Sequence, residues 1–131
     1  MPNSLSVLIV DDDKYTVHLV ANYMRTLKLT AATANNGEEA LAILRERPDE
    51  FGLVLLDLAM PHMSGFEVCR RIRQELQLPD LPIVAVTARV DLDSINQAYD
   101  VGINEIIHKP FSIKSLEALL RRFRLIPSKL T

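Results

Sequence analysis

The chain has 131 residues but only one cysteine, four glycines and no tryptophan. A single cysteine cannot form an internal disulfide, and so few glycines exclude a collagen-like chain. Because 48% of the residues are apolar and 24% are charged, the composition is that of one ordinary globular domain and not of a disordered segment. Cys69 shares a helical face with Ile72 and Leu76, which favours a buried, unreactive thiol over a catalytic one.

Long apolar runs are also missing. The longest runs, such as residues 53–56 and 83–86, are far shorter than the roughly 20 residues that a helix needs to cross a bilayer. The first residues, MPNSLSV, lack the basic region and apolar core of a signal peptide. We therefore expect a cytoplasmic protein that makes no contact with a membrane.

The net charge of −2 is small, but positive charge is concentrated near the carboxyl terminus. Residues 109–131 carry six lysines or arginines and a single glutamate. Basic residues without interleaved aromatic residues are typical of the solvated face of a terminal helix. We therefore do not predict that this domain binds nucleic acid.

Five short apolar runs of β-type residues alternate with segments of helical periodicity. The predicted strands are residues 6–10, 30–34, 53–57, 82–87 and 104–108. The apolar stripes of the first and last helices are Val17, Val20, Ala21, Met24 and Leu27, and Leu116, Leu119, Leu120 and Phe123. This alternation predicts an α/β fold, a single doubly wound (βα)5 domain with a parallel five-stranded sheet. Its core should cover about residues 5–125, followed by a tail at residues 126–131.

Polar residues mark the predicted starts of four helices. Two pairs have capping-box spacing, in which the first side chain accepts a bond from the later amide and the acid accepts one from the earlier amide. These pairs are Asn36 with Glu39 and Ser64 with Glu67. Asp91 or Asp93 is expected to cap the fourth helix, and Ser112 the fifth.

Polar side chains also lie at the carboxyl ends of four of the five predicted strands. They are Asp11, Asp12 and Asp13 after the first strand, Asp57 in the third, Thr87 in the fourth, and Lys109 with Pro110 after the fifth. Because the carboxyl ends of parallel strands meet at one edge of the sheet, where such folds bind ligands, these side chains should lie together. Each of them alone would more often cap a helix or bond a loop amide, so only their joint placement indicates a functional site.

Three carboxylates brought close together repel one another, and a hard divalent cation that prefers oxygen ligands offsets that repulsion. The predicted cation is Mg²⁺. An aspartate beside such a metal can attack a phosphoryl group, while the cation and a lysine neutralise the transferred oxygens. Asp57 is the predicted nucleophile. A nucleotide or flavin site would instead need a glycine-rich turn after the first strand, where this chain has three acids.

These residues lie in motifs that cover nearly the whole chain. They are VLIVDDD at 7–13, ANNGEEAL at 34–41, LVLLDLAMPHMSG at 53–65, VTA at 86–88 and KPF at 109–111. With them the chain resembles a response-regulator receiver domain of two-component phosphorelay signalling, of the kind found in chemotaxis regulators. The resemblance implies the strand order 2-1-3-4-5. It also implies that the domain is not an enzyme, apart from catalysing its own phosphorylation and dephosphorylation.

The resemblance implies a role for each acid. Asp57 would accept a phosphoryl group from a phosphohistidine of a sensor histidine kinase or a histidine phosphotransfer protein. Asp12 would bind Mg²⁺ directly and Asp11 through water. Asp57 and the backbone carbonyl of Ala59 would complete the protein's share of the ligands.

The resemblance extends to the later strands, with one departure. Thr87 and Lys109 would each bond a phosphoryl oxygen, and the bond between Lys109 and Pro110 is expected to be cis. Many receivers have an aromatic residue or histidine three positions before the lysine, where this chain has Ile106. We therefore expect the phosphorylation signal to reach the surface of helix 4, strand 5 and helix 5 through backbone shifts. That surface would bind an output partner or separate output domain, or a second copy of the chain, after phosphorylation.

Two alternatives stay open. A pseudo-receiver would bind partners without phosphorylation, and the atypical Ile106 is compatible with that hypothesis. A haloacid-dehalogenase-like phosphatase also uses a strand-end aspartate and Mg²⁺, but it needs a second acid two residues later, where this chain has Ala59. The complete set of strand-end residues favours the receiver.

Overall fold

A computed structural model describes residues 5–127 of the chain. Five parallel β-strands alternate with five α-helices in these residues. In chain order the elements are β1 (Ser6–Val10), α1 (Lys14–Thr26), β2 (Ala31–Ala34), α2 (Gly37–Glu46), β3 (Phe51–Asp57), α3 (Gly65–Gln74), β4 (Ile83–Thr87), α4 (Leu92–Val101), β5 (Glu105–His108) and α5 (Ile113–Arg122). The strands lie in the order β2-β1-β3-β4-β5, so the predicted fold and strand order are confirmed.

Helices cover both faces of the sheet, which is why the central strands are apolar along their whole length. α1 and α5 cover one face, and α2, α3 and α4 cover the other. The largest fully buried side chains under α1 and α5 are Met24, Leu53, Leu116, Leu119 and Leu120. Those on the opposite face are Leu8, Leu41, Leu44, Leu56, Ile72 and Ile83.

All five strands end where the sequence predicts, but four of them start elsewhere. β2, β4 and β5 start one residue later than predicted, and β3 starts two residues earlier, at Phe51. The prediction missed the start of β3 because its register with β1 is irregular. Ser6 pairs with Phe51 and Val7 pairs with Leu53, which leaves Gly52 between two paired residues.

The helix caps agree with the sequence in part. The predicted caps of α2, α3 and α5 are confirmed, and they are Asn36, Ser64 and Ser112. Of the two candidates for α4, Asp91 is the cap. The hydrogen bonds predicted for the two acids of the capping boxes, Glu39 and Glu67, are wrong. Glu39 accepts a bond from the amide of Asn35, one residue before the cap. Glu67 binds Arg70 and Arg71 instead, because charged guanidinium donors compete well for a carboxylate.

Cys69 is fully buried in the core, and burial raises the pKa of its thiol to about 11, in agreement with the predicted unreactive role. None of the helices in residues 5–127 combines the length and apolar character that a membrane span requires. Two predictions fall on residues outside the described part of the chain. They are the absence of a signal peptide, at residues 1–4, and the tail, at residues 128–131.

Candidate functional site

The carboxyl ends of β1 and β3 form the centre of the candidate site. These neighbouring strands lie where the chain reverses its direction across the sheet, since β2 is on one side of β1 and all later strands are on the other. Asp11 directly follows β1, and its amide donates a hydrogen bond to the carbonyl of Ala34 in β2. Asp57 is the last residue of β3. The parallel pairing therefore brings together two acids that are far apart in the sequence.

Three of the predicted acids lie close together, and we call Asp11, Asp12 and Asp57 the acidic pocket. One carboxylate oxygen of each lies within 4.8 Å of the others. Asp11 and Asp57 are only 3% and 5% exposed, whereas Asp12 faces the solvent. Asp13 has a different role, because its side chain caps α1 and accepts a bond from the amide of Tyr15.

Lys109 brings one positive charge to the acidic pocket. Its Nζ lies 3.3 Å from Oδ2 of Asp11 and 3.7 Å from Oδ1 of Asp57. The amide of Lys109 donates to the carbonyl of Thr87, and the peptide bond to Pro110 is cis, as the resemblance implies. Three acids and one lysine leave an excess of two negative charges.

Burial raises the pKa of the Asp57 carboxyl group from 3.8 to about 6, because the charged form loses its solvation. The nearby charge of Asp11 acts in the same direction. The amide of Ala59, which donates to Oδ1 of Asp57 at 3.1 Å, opposes the shift, and so does the ammonium group of Lys109. At neutral pH the carboxyl group is therefore mostly ionised, which both a nucleophile and a metal ligand require.

A divalent cation fits the acidic pocket. Its carboxylate oxygens are close enough for one ion to bind all three side chains, and carboxylates are the hard ligands that Mg²⁺ prefers. The excess of two negative charges equals the charge of the ion. A cation there would also offset the repulsion between the buried acids.

The loop between β3 and α3 packs against the backbone of Asp57. A Cβ atom placed on Gly65, the first residue of α3, would lie 2.4 Å from the carbonyl oxygen of Asp57 and 2.8 Å from Cα of Leu58. Only glycine fits, because the atoms that it meets belong to the backbone and cannot rotate away. The motif at residues 53–65 includes Gly65, but nothing in the sequence indicates this contact.

Thr87 ends β4 and is only 2% exposed. Its neighbour Val86 pairs with Asp57 in the sheet, so the threonine lies beside the end of β3. The Oγ1 atom accepts a bond from the amide of Arg89 at 3.0 Å. Because a hydroxyl group that accepts one bond can still donate its hydrogen, Thr87 is able to serve as a donor at this edge of the sheet.

β5 carries the departure from the usual receiver pattern. Ile106 is half-buried and packs against the core on the side of α2, α3 and α4. Its side chain has no polar atom with which to bond Thr87. A change at the acidic pocket can therefore affect Ile106 only through side-chain packing and shifts of the backbone.

A void of about 10 Å³ below Asp11 and Asp57 is lined mainly by apolar side chains such as Val20, Leu55 and Leu116, and neither Asp12 nor Lys109 lines it. It is therefore a packing void of the core on the side of α1 and α5. Because Asp12 is exposed, the acidic pocket itself can be reached from the solvent side. Larger depressions of about 810 and 570 Å³ lie at the opposite end of the sheet and contain none of the acidic-pocket residues.

The fold and the site together define a doubly wound α/β domain with an acidic, lysine-containing pocket at the carboxyl ends of its strands. Residues 7–121 match the family model of the response regulator receiver domain. The chain belongs to this family, as the resemblance in its motifs predicts.

Similar proteins support this assignment. The chain is 34% identical over 116 residues to the transcription factor SKN7 of Chaetomium thermophilum, covering 88% of this chain and 15% of that protein. It is 32% identical over 122 residues to the heme response regulator HssR of Staphylococcus haemolyticus, covering 90% and 52%. The chemotaxis protein CheY4 of Vibrio cholerae has a similar structure, with a TM-score of 0.85, 28% identity and coverage of 92% of this chain and 99% of that chain. The chain thus spans about half or less of the length of these two curated relatives.

Proposed function

We propose that this receiver domain is a phosphorylation-controlled switch in which Asp57 accepts a phosphoryl group. The donor is a phosphohistidine of a sensor histidine kinase or a histidine phosphotransfer protein. The observation that carries the proposal is the buried Asp57 carboxylate beside Lys109 and two further acids at the edge of the sheet. Membership in the receiver family supports it.

In the proposed reaction, a carboxylate oxygen of Asp57 attacks the phosphorus atom of the phosphohistidine. A P–O bond forms as the P–N bond breaks, and the imidazole nitrogen of the donor leaves with the electron pair of that bond. The attacking group must be ionised, and a carboxyl group with a pKa of about 6 is mostly ionised at neutral pH. The acidic pocket suits this donor, because Asp12 is exposed and a histidine on a protein surface can present its phosphoryl group from the solvent side.

The proposed direct ligands of Mg²⁺ are Asp12, Asp57 and the backbone carbonyl of Ala59, and Asp11 would bind the ion through water. When bound, the cation neutralises charge on the transferred oxygens. Lys109 lies 3.7 Å from Asp57 and supplies a second positive charge to the same oxygens. The hydroxyl group of Thr87 donates a hydrogen bond to another oxygen of the phosphoryl group.

The domain itself catalyses this transfer and the later hydrolysis of the acyl phosphate, and it has no other substrate in this proposal. Phosphorylation changes the surface formed by α4, β5 and α5, where an output partner, an output domain or a second copy of the chain binds. The bond from the amide of Arg89 to Thr87 supports this route, because it joins the pocket to the loop that precedes α4.

Intact mass after incubation with acetyl phosphate and Mg²⁺ tests the proposal. We expect one phosphoryl adduct that requires Mg²⁺, is lost in alkali and is absent from the Asp57→Asn variant. Asp80→Asn is the matched control and should keep the adduct, because Asp80 is exposed and lies at the other end of the sheet.

The outcomes separate the alternatives. An adduct that forms equally in Asp57→Asn would overturn the assignment of the acceptor. The absence of an adduct with both acetyl phosphate and a phosphohistidine donor would overturn the switch and favour the pseudo-receiver, which the apolar Ile106 also allows. Steady hydrolysis of small phosphomonoesters would favour the phosphatase.

A further inference from the structure

Arg73, near the end of α3, makes an extensive set of hydrogen bonds that has no part in the acidic pocket. Its Nη1 donates to the carbonyls of Leu78 and Leu81, at 2.6 and 2.7 Å. Its Nε and Nη2 both donate to the carbonyl of Gly102, and Nη2 also donates to Oδ1 of Asn104. A guanidinium group has five N–H bonds, so these five hydrogen bonds use all of them.

The partners of Arg73 are neutral oxygens and not carboxylates. Two of the five bonds go to Gly102, the residue that ends α4. The last turn of α4 contains no basic residue of its own, although a positive charge is favourable beside the unpaired carbonyls at the end of a helix. Arg73 supplies that charge from the neighbouring helix, at the cost of partial burial, which lowers the pKa of its guanidinium group.

Other contacts hold the same end of α4. The thiol of Cys69 donates to the carbonyl of Val101 at 3.4 Å. Asn104 exchanges two hydrogen bonds of 2.8 Å with the backbone of Ile83, one through its amide and one through Oδ1. Gly102 has a φ of 110°, and a Cβ there would lie 2.9 Å from Arg73. The carboxyl end of α4 is therefore bonded to α3 and to the start of β4.

The amino end of α4 is held far more weakly. Residues 88–93 are all exposed, and Asp91 caps the helix from within this segment. The helix itself buries only Ser94 and Ala98, two small side chains that contribute little apolar area. The link from this end to the acidic pocket is the bond between the amide of Arg89 and Oγ1 of Thr87.

We propose that Arg73 anchors the carboxyl end of α4, so that α4 responds to movement at Thr87 by pivoting about this end instead of shifting as a whole. Arg73 is thus a positioning residue for the signal that leaves the pocket. The anchoring follows from the contacts of Arg73 alone, and the pivoting rests on the proposed function. The two parts are tested separately.

Amide hydrogen exchange of the unphosphorylated domain tests the anchoring. In the wild type we expect the amides of residues 102–104 to exchange more slowly than those of residues 95–98. Arg73→Met should speed exchange at residues 102–104 by about tenfold or more relative to the core amides of β1 and β3. Arg70→Met is the matched control and should leave residues 102–104 unchanged, because Arg70 lies on the same helix and, within residues 5–127, forms hydrogen bonds with Glu67 and Gln74 alone.

Two results would overturn the anchoring. One is exchange at residues 102–104 that does not change in Arg73→Met, and the other is an increase that equals the increase in the core, which would mean a general loss of stability. If Arg73→Met does not fold, Arg73→Lys decides the matter. It keeps the charge but loses the fork of donors, so it should give a smaller increase confined to the same residues.

Amide chemical shifts with Mg²⁺ and beryllofluoride, a phosphoryl mimic, test the pivoting. In the wild type we expect shift changes at residues 88–95 and none at residues 102–104, whereas in Arg73→Met the changes should extend to residues 102–104. Wild-type changes at residues 102–104 as large as those at 88–95 would overturn the pivot. No response at Asp57 or Thr87 would count against the proposed function instead, while the exchange experiment would still decide the anchoring.

Discussion

The two loops that leave the acidic pocket are held very differently. Residues 58–64, which follow β3, bury Leu58 and Met60 and end at Gly65, whose Cα lies against the backbone of Asp57. Residues 88–91, which follow β4, are all exposed, and Val90 has a relative exposure of 69%.

The difference separates the group that reacts from the segment that responds. Local opening is easiest where few apolar side chains are buried and few hydrogen bonds are made. The loop after β3 therefore keeps Asp57 in a fixed position. The loop after β4 depends on the bond from the amide of Arg89 to Thr87 and on a solvent-exposed ion pair of Arg89 with Asp91, so it can move at low cost.

One substitution in each loop tests whether the two loops are held differently. Gly65→Ala should lower the free energy of unfolding by about 3 kcal/mol, because its methyl group overlaps backbone atoms that must shift. Val90→Ala, the control in the exposed loop, should change it by less than about 0.5 kcal/mol. Urea unfolding measures both values. Similar costs for the two variants would show that the loops are held alike.

The raised pKa of Asp57 predicts that the charged form of its carboxyl group lowers the free energy of unfolding. The folded-state pKa of about 6 lies above the ordinary value of 3.8, so between these values the folded protein binds more protons than the unfolded chain. Stability is therefore lost as the pH rises from about 4 to about 6. In metal-free buffer, Asp57→Asn should stabilise the domain by about 3 kcal/mol at pH 7.5 and by little at pH 4.

Urea unfolding with a chelator at the two pH values checks this prediction. Asp49→Asn is the control, since Asp49 is exposed and lies outside the acidic pocket. An equal effect of Asp57→Asn at both pH values would contradict the raised pKa.

Mg²⁺ should stabilise the folded domain by offsetting the repulsion between the carboxylates of the acidic pocket. At a concentration ten times its Kd, the ion should raise the free energy of unfolding by about 1.4 kcal/mol at pH 7.5. Thermal unfolding measures the effect, with NaCl at equal ionic strength as the control for screening. The gain should disappear in Asp11→Asn. A gain that persists in this variant would place the ion elsewhere.

The smallest effect concerns the responding loop and carries no large change in stability. With beryllofluoride and Mg²⁺, amide shift changes should extend from Thr87 to the amino end of α4 and to the backbone of β5 and α5, despite the apolar Ile106. Thr87→Ala should lose the changes beyond the pocket, and Thr87→Ser, which keeps the hydroxyl group, should retain them. Changes confined to the acidic pocket in the wild type would contradict transmission through the backbone.

The features that followed from local pattern were predicted well. The alternation of apolar strands with amphipathic helices set the fold class and the ends of all five strands. The helix caps Asn36, Ser64, Asp91 and Ser112 were found because a cap depends on residues within one turn of the chain. The start of β3 was missed because the irregular pairing of Gly52 depends on β1, a different strand.

The order of residues along the chain places polar side chains at the carboxyl ends of β1, β3, β4 and β5, and parallel pairing brings these ends together in one acidic pocket. The resemblance assigned Asp11 and Asp12 to the metal, and the tertiary structure established that the chemically similar Asp13 caps α1 instead. It also decided that Glu67 binds arginines and that Arg73 holds the end of α4. A long charged side chain can reach several partners, and which one it binds depends on neighbours that the local sequence does not specify.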